Sequence, residues 1–131
     1  MRISELAKRT GVSAHRLRRY EAQGLIRAER STGGYREFGE RTIREVVFIA
    51  MGRDLGLSLA TLADALPRYR AGTLSIEEMV FTLRQRIEEV DAVIAEHQAL
   101  RQRLVDHIGW FKERAARQPA SKFPSARKAK R

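Results

Sequence analysis

Along most of this chain apolar positions recur at helical spacing, and Gly, Ser and Pro cut the pattern into short pieces followed by one long one. The first piece predicts a helix over Ser4–Thr10, with Leu6 and Ala7 facing inward and Gly11 ending it. Val12 then plugs the core at the turn. Ser13 is a good N-cap for a second helix over Ala14–Gln23, and Gly24 supplies the left-handed residue after it. Two short helices joined by a tight Gly-containing turn fit a helix-turn-helix. Leu25–Arg27 and Tyr35–Phe38 can pair as a small hairpin with Glu29–Gly34 as its tip, where Gly33 and Gly34 permit positive φ. A third helix over Glu40–Leu55 is expected to bury Ile43, Val46, Val47, Ala50 and Met51 and to stop at Gly56. Ser58 caps a fourth over Leu59–Leu66, with Pro67 just past its end.

The last piece is the most regular. Ser75 and Glu78 form a capping box ahead of an apolar run. From there the spacing alternates four, three, four, three through Ile76, Val80, Leu83, Ile87, Val90, Ile94, His97, Arg101, Leu104, Ile108 and Phe111. That is a heptad seam rather than a general amphipathic face. A helix from Ile76 to Arg117 is roughly 60 Å long at about 1.5 Å per residue. A head of about 70 residues cannot bury such a seam, so a second copy of the chain is the simplest partner. His97 reads as a polar seam residue that fixes register. Trp110 and Phe111, near the helix end, need covering and are expected to pack on the partner's head.

Charge sharpens the picture. The chain of 131 residues carries a net charge of +10, which favours polyanions. Residues 1–70 hold 14 basic and 8 acidic groups, residues 71–117 hold 7 and 8, and residues 118–131 hold 5 and none. A basic head therefore joins a neutral middle and a basic tail, whose composition is that of a disordered arm. With no cysteine, disulfides, thiolate metal sites and cysteine nucleophiles are excluded together. No signal-like or membrane-length apolar run occurs, so a cytoplasmic, nucleoid-associated protein with no membrane partner is expected.

The chemistry centres on the second helix. On a helical wheel Leu17 points inward, His15 and Arg19 lie nearly opposite, Arg16 and Arg18 flank them, and Tyr20 sits at the margin. Arginines can grip guanine edges in the major groove, and Tyr or Arg can bond phosphates. A solvated basic face is the bland alternative; the hairpin that follows favours DNA. Ser13, at the helix start, and Arg30, Tyr35 and Arg36, on the hairpin, join the candidate contacts. No nucleophile–base pair, carboxylate pair or phosphate-cradling loop is apparent, so no enzyme and no cofactor are expected.

These residues carry a resemblance. ISELAKRTGVS at 3–13, then Leu17, Arg18, Tyr20 and Glu21, Gly24-Leu25-Ile26, Gly34-Tyr35-Arg36, Phe38, Arg53, Leu55, Gly56 and Ser58 follow one another as in the MerR family of bacterial transcription regulators. Residues 1–66 resemble its DNA-binding head, and the long helix is similar to its antiparallel dimerisation helix. The resemblance implies a mainly α fold: a winged helix-turn-helix head over 1–70 with a small β-hairpin wing, an antiparallel coiled-coil helix over 75–117 and a basic tail over 118–131. It implies that Arg18 contacts DNA from the recognition helix, that Tyr20 anchors that region at the backbone, that Tyr35 and Arg36 hold phosphates from the wing, and that Arg53 acts from a second, helical wing. Arg16 and Arg19 depart from the family, which commonly has a threonine and an aromatic there; both put the operator's base sequence in doubt. Metal- and redox-sensing branches rely on cysteines, which this chain lacks. The expected function is a homodimeric regulator on double-stranded promoter DNA, bending and untwisting the spacer, with RNA polymerase as a further partner. Rival readings are a low-specificity architectural or recombination-accessory protein, and a coiled-coil adaptor whose basic head is incidental.

Overall fold

In a computed structural model, residues 1–117 are described. The basic tail expected over 118–131 lies outside them. The order is α1 (Ile3–Thr10), α2 (Ala14–Ala22), β1 (Glu29–Arg30), β2 (Arg36–Glu37), α3 (Glu40–Asp54), α4 (Leu59–Ala71) and α5 (Ile76–Arg117). The chain divides into two compact units at Arg86/Ile87. The first unit thus runs past the expected limit near residue 70, because the first turns of α5 are tied to it. Arg68 of α4 pairs with Glu78, and the Arg86 guanidinium donates to the Leu55 carbonyl at 3.0 Å.

One apolar cluster holds α1 to α4 together. Leu6, Leu17, Ile26, Phe38, Val46, Ile49 and Leu66 are its largest fully buried side chains. α3 turns Val46 and Ile49 inward, with Ile43 and Ala50 half-buried against the cluster. Val47 and Met51, expected inside, are exposed: α4 crosses α3 on the Ile49–Gly52 side. That crossing is close. A Cβ at Gly52 would lie 2.4 Å from a Leu62 methyl, so any larger residue there would force the Leu62 side chain to move. The buried Glu45 carboxylate is satisfied from α4. Arg70 Nε donates to Glu45 at 2.7 Å, and its Nη2 donates to the Leu25 carbonyl at 2.6 Å. Removing Arg70 would strand the buried Glu45 carboxylate, whereas Arg70 itself still reaches solvent.

α4 is longer than the sequence suggested. Pro67 lies inside it, and Gly72 caps it in the left-handed region. Proline in a helix interior costs about 3 kcal/mol. The turn beyond it is held by tertiary contacts: Tyr69 stacks on Phe48 at 4.3 Å, and Arg70 makes the bonds just described.

The hairpin is also shifted. Glu29 pairs with Glu37 and Arg30 with Arg36, so the strands are Glu29–Arg30 and Arg36–Glu37, and Leu25–Arg27 is not one of them. Leu25 and Ile26 are buried in the core instead, which fixes that segment before the strand can start. The start of the chain closes the hairpin's base: the Met1 ammonium donates to the Phe38 carbonyl at 2.7 Å, and the Phe38 amide donates to the Met1 carbonyl at 2.6 Å.

α5 begins with the expected capping box. The Ser75 amide donates to Glu78 Oε1 at 3.0 Å, and the Glu78 amide donates to Ser75 Oγ at 3.1 Å. The bond from the Ser75 amide, first, and then the neighbouring Arg68 charge hold the Glu78 carboxyl below its ordinary value. Likewise, Arg9 donates to Glu40, lowering that carboxyl and tying α1 to α3. No residue of α5 is buried, and its seam from Ile76 to Phe111 stands exposed. No helix among the described residues is long and apolar enough to cross a membrane.

Candidate nucleic-acid interface

α2 is built to present one face. Ser13 caps it, accepting from the Arg16 amide at 3.1 Å, so this hydroxyl is committed to the helix start. Leu17 and Tyr20 turn inward, 0% and 5% exposed. His15, Arg18, Arg19 and Ala22 then fall at i, i+3, i+4 and i+7 on the opposite, exposed face. Among the described residues His15, Arg18 and Arg19 have no ion-pair or hydrogen-bonded side-chain partner, so their donors point to solvent.

Tyr20 and Arg16 of the expected set are tied to each other. Tyr20 is a core residue rather than a marginal one; only its hydroxyl reaches the edge, where it accepts from Arg16 Nη2 at 2.9 Å. That bond satisfies the phenol, which allows the ring to be buried. Arg16 is accordingly half-buried. Its second role is spatial: with Arg19, Gln23, Arg53 and Asp54 it lines a polar recess of about 260 Å³. Arg53 therefore lies beside α2. It donates from Nη1 to the Leu57 carbonyl at 2.9 Å, fixing the α3–α4 corner.

The wing is held by its charges. Its two ladder pairs set Glu against Glu and Arg against Arg, which is unfavourable for an isolated hairpin. Each arginine finds relief elsewhere. Arg30 Nη1 donates to the Gly34 carbonyl at 2.7 Å, across a tip in which Gly34 takes φ +81°. Arg36 Nη1 donates to Glu21 Oε1 of α2 at 2.9 Å. This ion pair sets the wing against the recognition helix. Tyr35 is exposed, and the Arg2 guanidinium lies 4.0 Å from its ring centroid. Arg2 and Gln23 were missed by sequence reasoning. Arg2 reaches the wing only because the chain start pairs with Phe38, a contact with no local signal.

The expected residues thus come together on one unit: α2 with its exposed face, the wing beside it through Glu21–Arg36, and Arg53 beside it through the recess. Among the described residues no group of three or more His, Asp or Glu is placed to hold a metal.

Comparison with known proteins bears on the family and the fold. Residues 1–69 match the family described as MerR HTH family regulatory protein, and residues 43–107 match the one described as MerR, DNA binding. A probable heavy metal-dependent transcriptional regulator of Haemophilus influenzae is 36% identical over 102 residues, covering 72% of this chain and 80% of its own. The crystal structure of the transcription regulator PbrR691 from Ralstonia metallidurans CH34, in complex with lead(II), matches with a TM-score of 0.70. Its sequence identity is 28%, over 81% of this chain and 83% of that one. HiNmlR, a MerR family regulator lacking the sensor domain and crystallised on promoter DNA, shares the fold with a TM-score of 0.56. That likeness is at 23% identity, over 95% of this chain and 96% of that one.

Proposed function

The chain belongs to the MerR family of helix-turn-helix regulatory proteins, and from that premise we propose how it meets its promoter. The protein is a sequence-specific DNA-binding transcription regulator. It acts as a homodimer in the cytoplasm, on the nucleoid. Each α2 enters the major groove of one half-site and offers Arg18, Arg19 and His15 to base edges. Arg30, Tyr35 and Arg36 of the wing, and Arg53 with Arg16 at the recess, hold flanking phosphates. Spacing of the two heads by paired α5 helices bends and untwists the promoter spacer, which RNA polymerase then reads. No step needs catalysis or a bound cofactor.

One observation carries this reading: the exposed row His15, Arg18, Arg19 stands free of partners while everything around it is braced. The helix that presents the row is fixed by its packing, so docking has only these side chains to order. The test is a protection assay on the promoter next to the protein's own gene. One short protected site with two-fold-related halves is expected. Even coating of the fragment would favour an architectural protein instead, and absence of salt-sensitive binding would favour an adaptor.

A further inference from the structure

Arg2 breaks a local rule. Its carbonyl opens α1, accepting from the Glu5 and Leu6 amides at 3.1 and 3.0 Å, so Arg2 stands at the N-cap. Short polar side chains serve that position, because their oxygen takes up an amide of the first turn. The Arg2 side chain makes no such bond, and a cation there opposes the positive end of the helix. Serine or aspartate would serve α1 better. A residue that weakens its own helix, with no compensating bond inside the fold, points to a task outside it.

The contact that the side chain does make is on the wing. Its guanidinium lies over the Tyr35 ring, 4.0 Å from the centroid. Two bonds between Met1 and Phe38 hold the segment before α1 against the base of the hairpin, which brings Arg2 there. Gly33 packs against the same ring, so closely that a Cβ would sit 3.2 Å from it. Arg2 and Tyr35 are both exposed even so. A stacked guanidinium uses its flat face on the ring and keeps its N–H donors at the edge. Among the described residues, neither those donors nor the Tyr35 hydroxyl has a hydrogen-bonded partner. The two arginines of the hairpin are in part engaged, Arg30 with the Gly34 carbonyl and Arg36 with Glu21.

We propose that Arg2, stacked on Tyr35, is a further DNA-backbone contact, and that the pair clamps one phosphate beside each half-site. The inference rests on the DNA-binding reading above and adds a residue to it. A hydroxyl at the ring's edge and a guanidinium above its face lie within reach of one phosphate. The planar fork of arginine matches two phosphate oxygens, and the phenol can donate to the same group. The stack fixes the guanidinium before DNA arrives, so docking leaves little of it to order. With Arg30 and Arg36 on the same hairpin, the polyanion that fits this surface is DNA.

The test compares the full chain with Arg2→Ser. Affinity is measured on operator and on random duplex from about 0.05 to 0.2 M salt, and the melting temperature is measured on the free protein. Serine improves the N-cap, so the melting temperature should hold or rise. Each phosphate contact contributes about 0.9 to the slope of log affinity against log salt. That slope should flatten by about 0.9 per head, equally on both DNAs. The variant's deficit should accordingly shrink roughly three- to fourfold per head across this salt range. Arg2→Ser with Tyr35→Leu should lose less than the product of the two single losses, because both side chains meet one phosphate. An unchanged slope would overturn the contact. So would a fall in melting temperature large enough to account for the lost binding, which would make Arg2 structural. A loss confined to the operator would make Arg2 a reader of bases and overturn the clamp. Single losses that multiply would overturn the pairing with Tyr35. Wild type without salt-sensitive binding to either DNA would overturn the DNA reading itself, and the clamp with it.

Discussion

Arg36 has two claims on its charge. In the free protein Glu21 holds it at 2.9 Å, with the arginine 45% exposed. A phosphate arriving at the wing would share the guanidinium from the open side. Such a contact positions the wing and carries no base information. Arg36→Ala should therefore weaken cognate and random DNA by similar factors, measured by titration of both at one salt concentration. A loss confined to the cognate site would make Arg36 a reader of sequence. The outward row of α2 was legible in the sequence because a 3.6-residue period alone sets Leu17 against His15 and Arg19. The partners Glu21–Arg36 and Met1–Phe38 were not legible. They join positions 15 and 37 residues apart in the chain, which no local pattern encodes. Tyr20 was misplaced for a related reason: the wheel gives direction, but the Arg16 bond that lets the phenol sit at a buried edge exists only in the fold.

At the scale of elements, the capping box of α5 was readable from Ser75 and Glu78 alone, since its bonds span only three residues. It makes a pH-dependent contribution with a definite sign. Glu78 has its carboxyl lowered in the folded chain, chiefly by the Ser75 amide. Stability from a lowered carboxyl is fully present above the unfolded value and is lost as pH falls through the folded one. The gap in melting temperature between wild type and Glu78→Ala should thus be constant near neutrality and close as pH drops below the carboxylate range. A gap that persists at acid pH would place the effect in helix propensity rather than in the cap. Pro67 shows the opposite case. Local rules end α4 before it, yet Tyr69 and Arg70 draw the helix on to Ala71. The hairpin likewise shifted because Leu25 and Ile26 were claimed by the core. In both places tertiary burial overrode a correct local preference.

For the whole molecule the central quantity is the unburied seam of α5. Its apolar side chains, from Ile76 to Phe111, cannot be covered by α5 itself. Ile87→Asp with Ile94→Asp would bury unpaired charge in any seam-mediated dimer, at a cost of several kcal/mol. That variant should sediment as a monomer and lose tight operator binding. Its first unit should keep its helical signal, because the core from Leu6 to Leu66 touches neither site. A double variant that stays dimeric would move the interface off this seam.

The claim on which all of this turns is that α2 reads bases through Arg18. The direct measurement is the ratio of affinities for operator and random DNA, wild type against Arg18→Ala, at one fixed salt concentration. A bidentate base contact is worth about 1–3 kcal/mol of discrimination. The ratio should therefore fall roughly five- to a hundredfold or more, with random-DNA affinity changed much less. Equal losses on both DNAs would remove Arg18 from the readers and contradict the account.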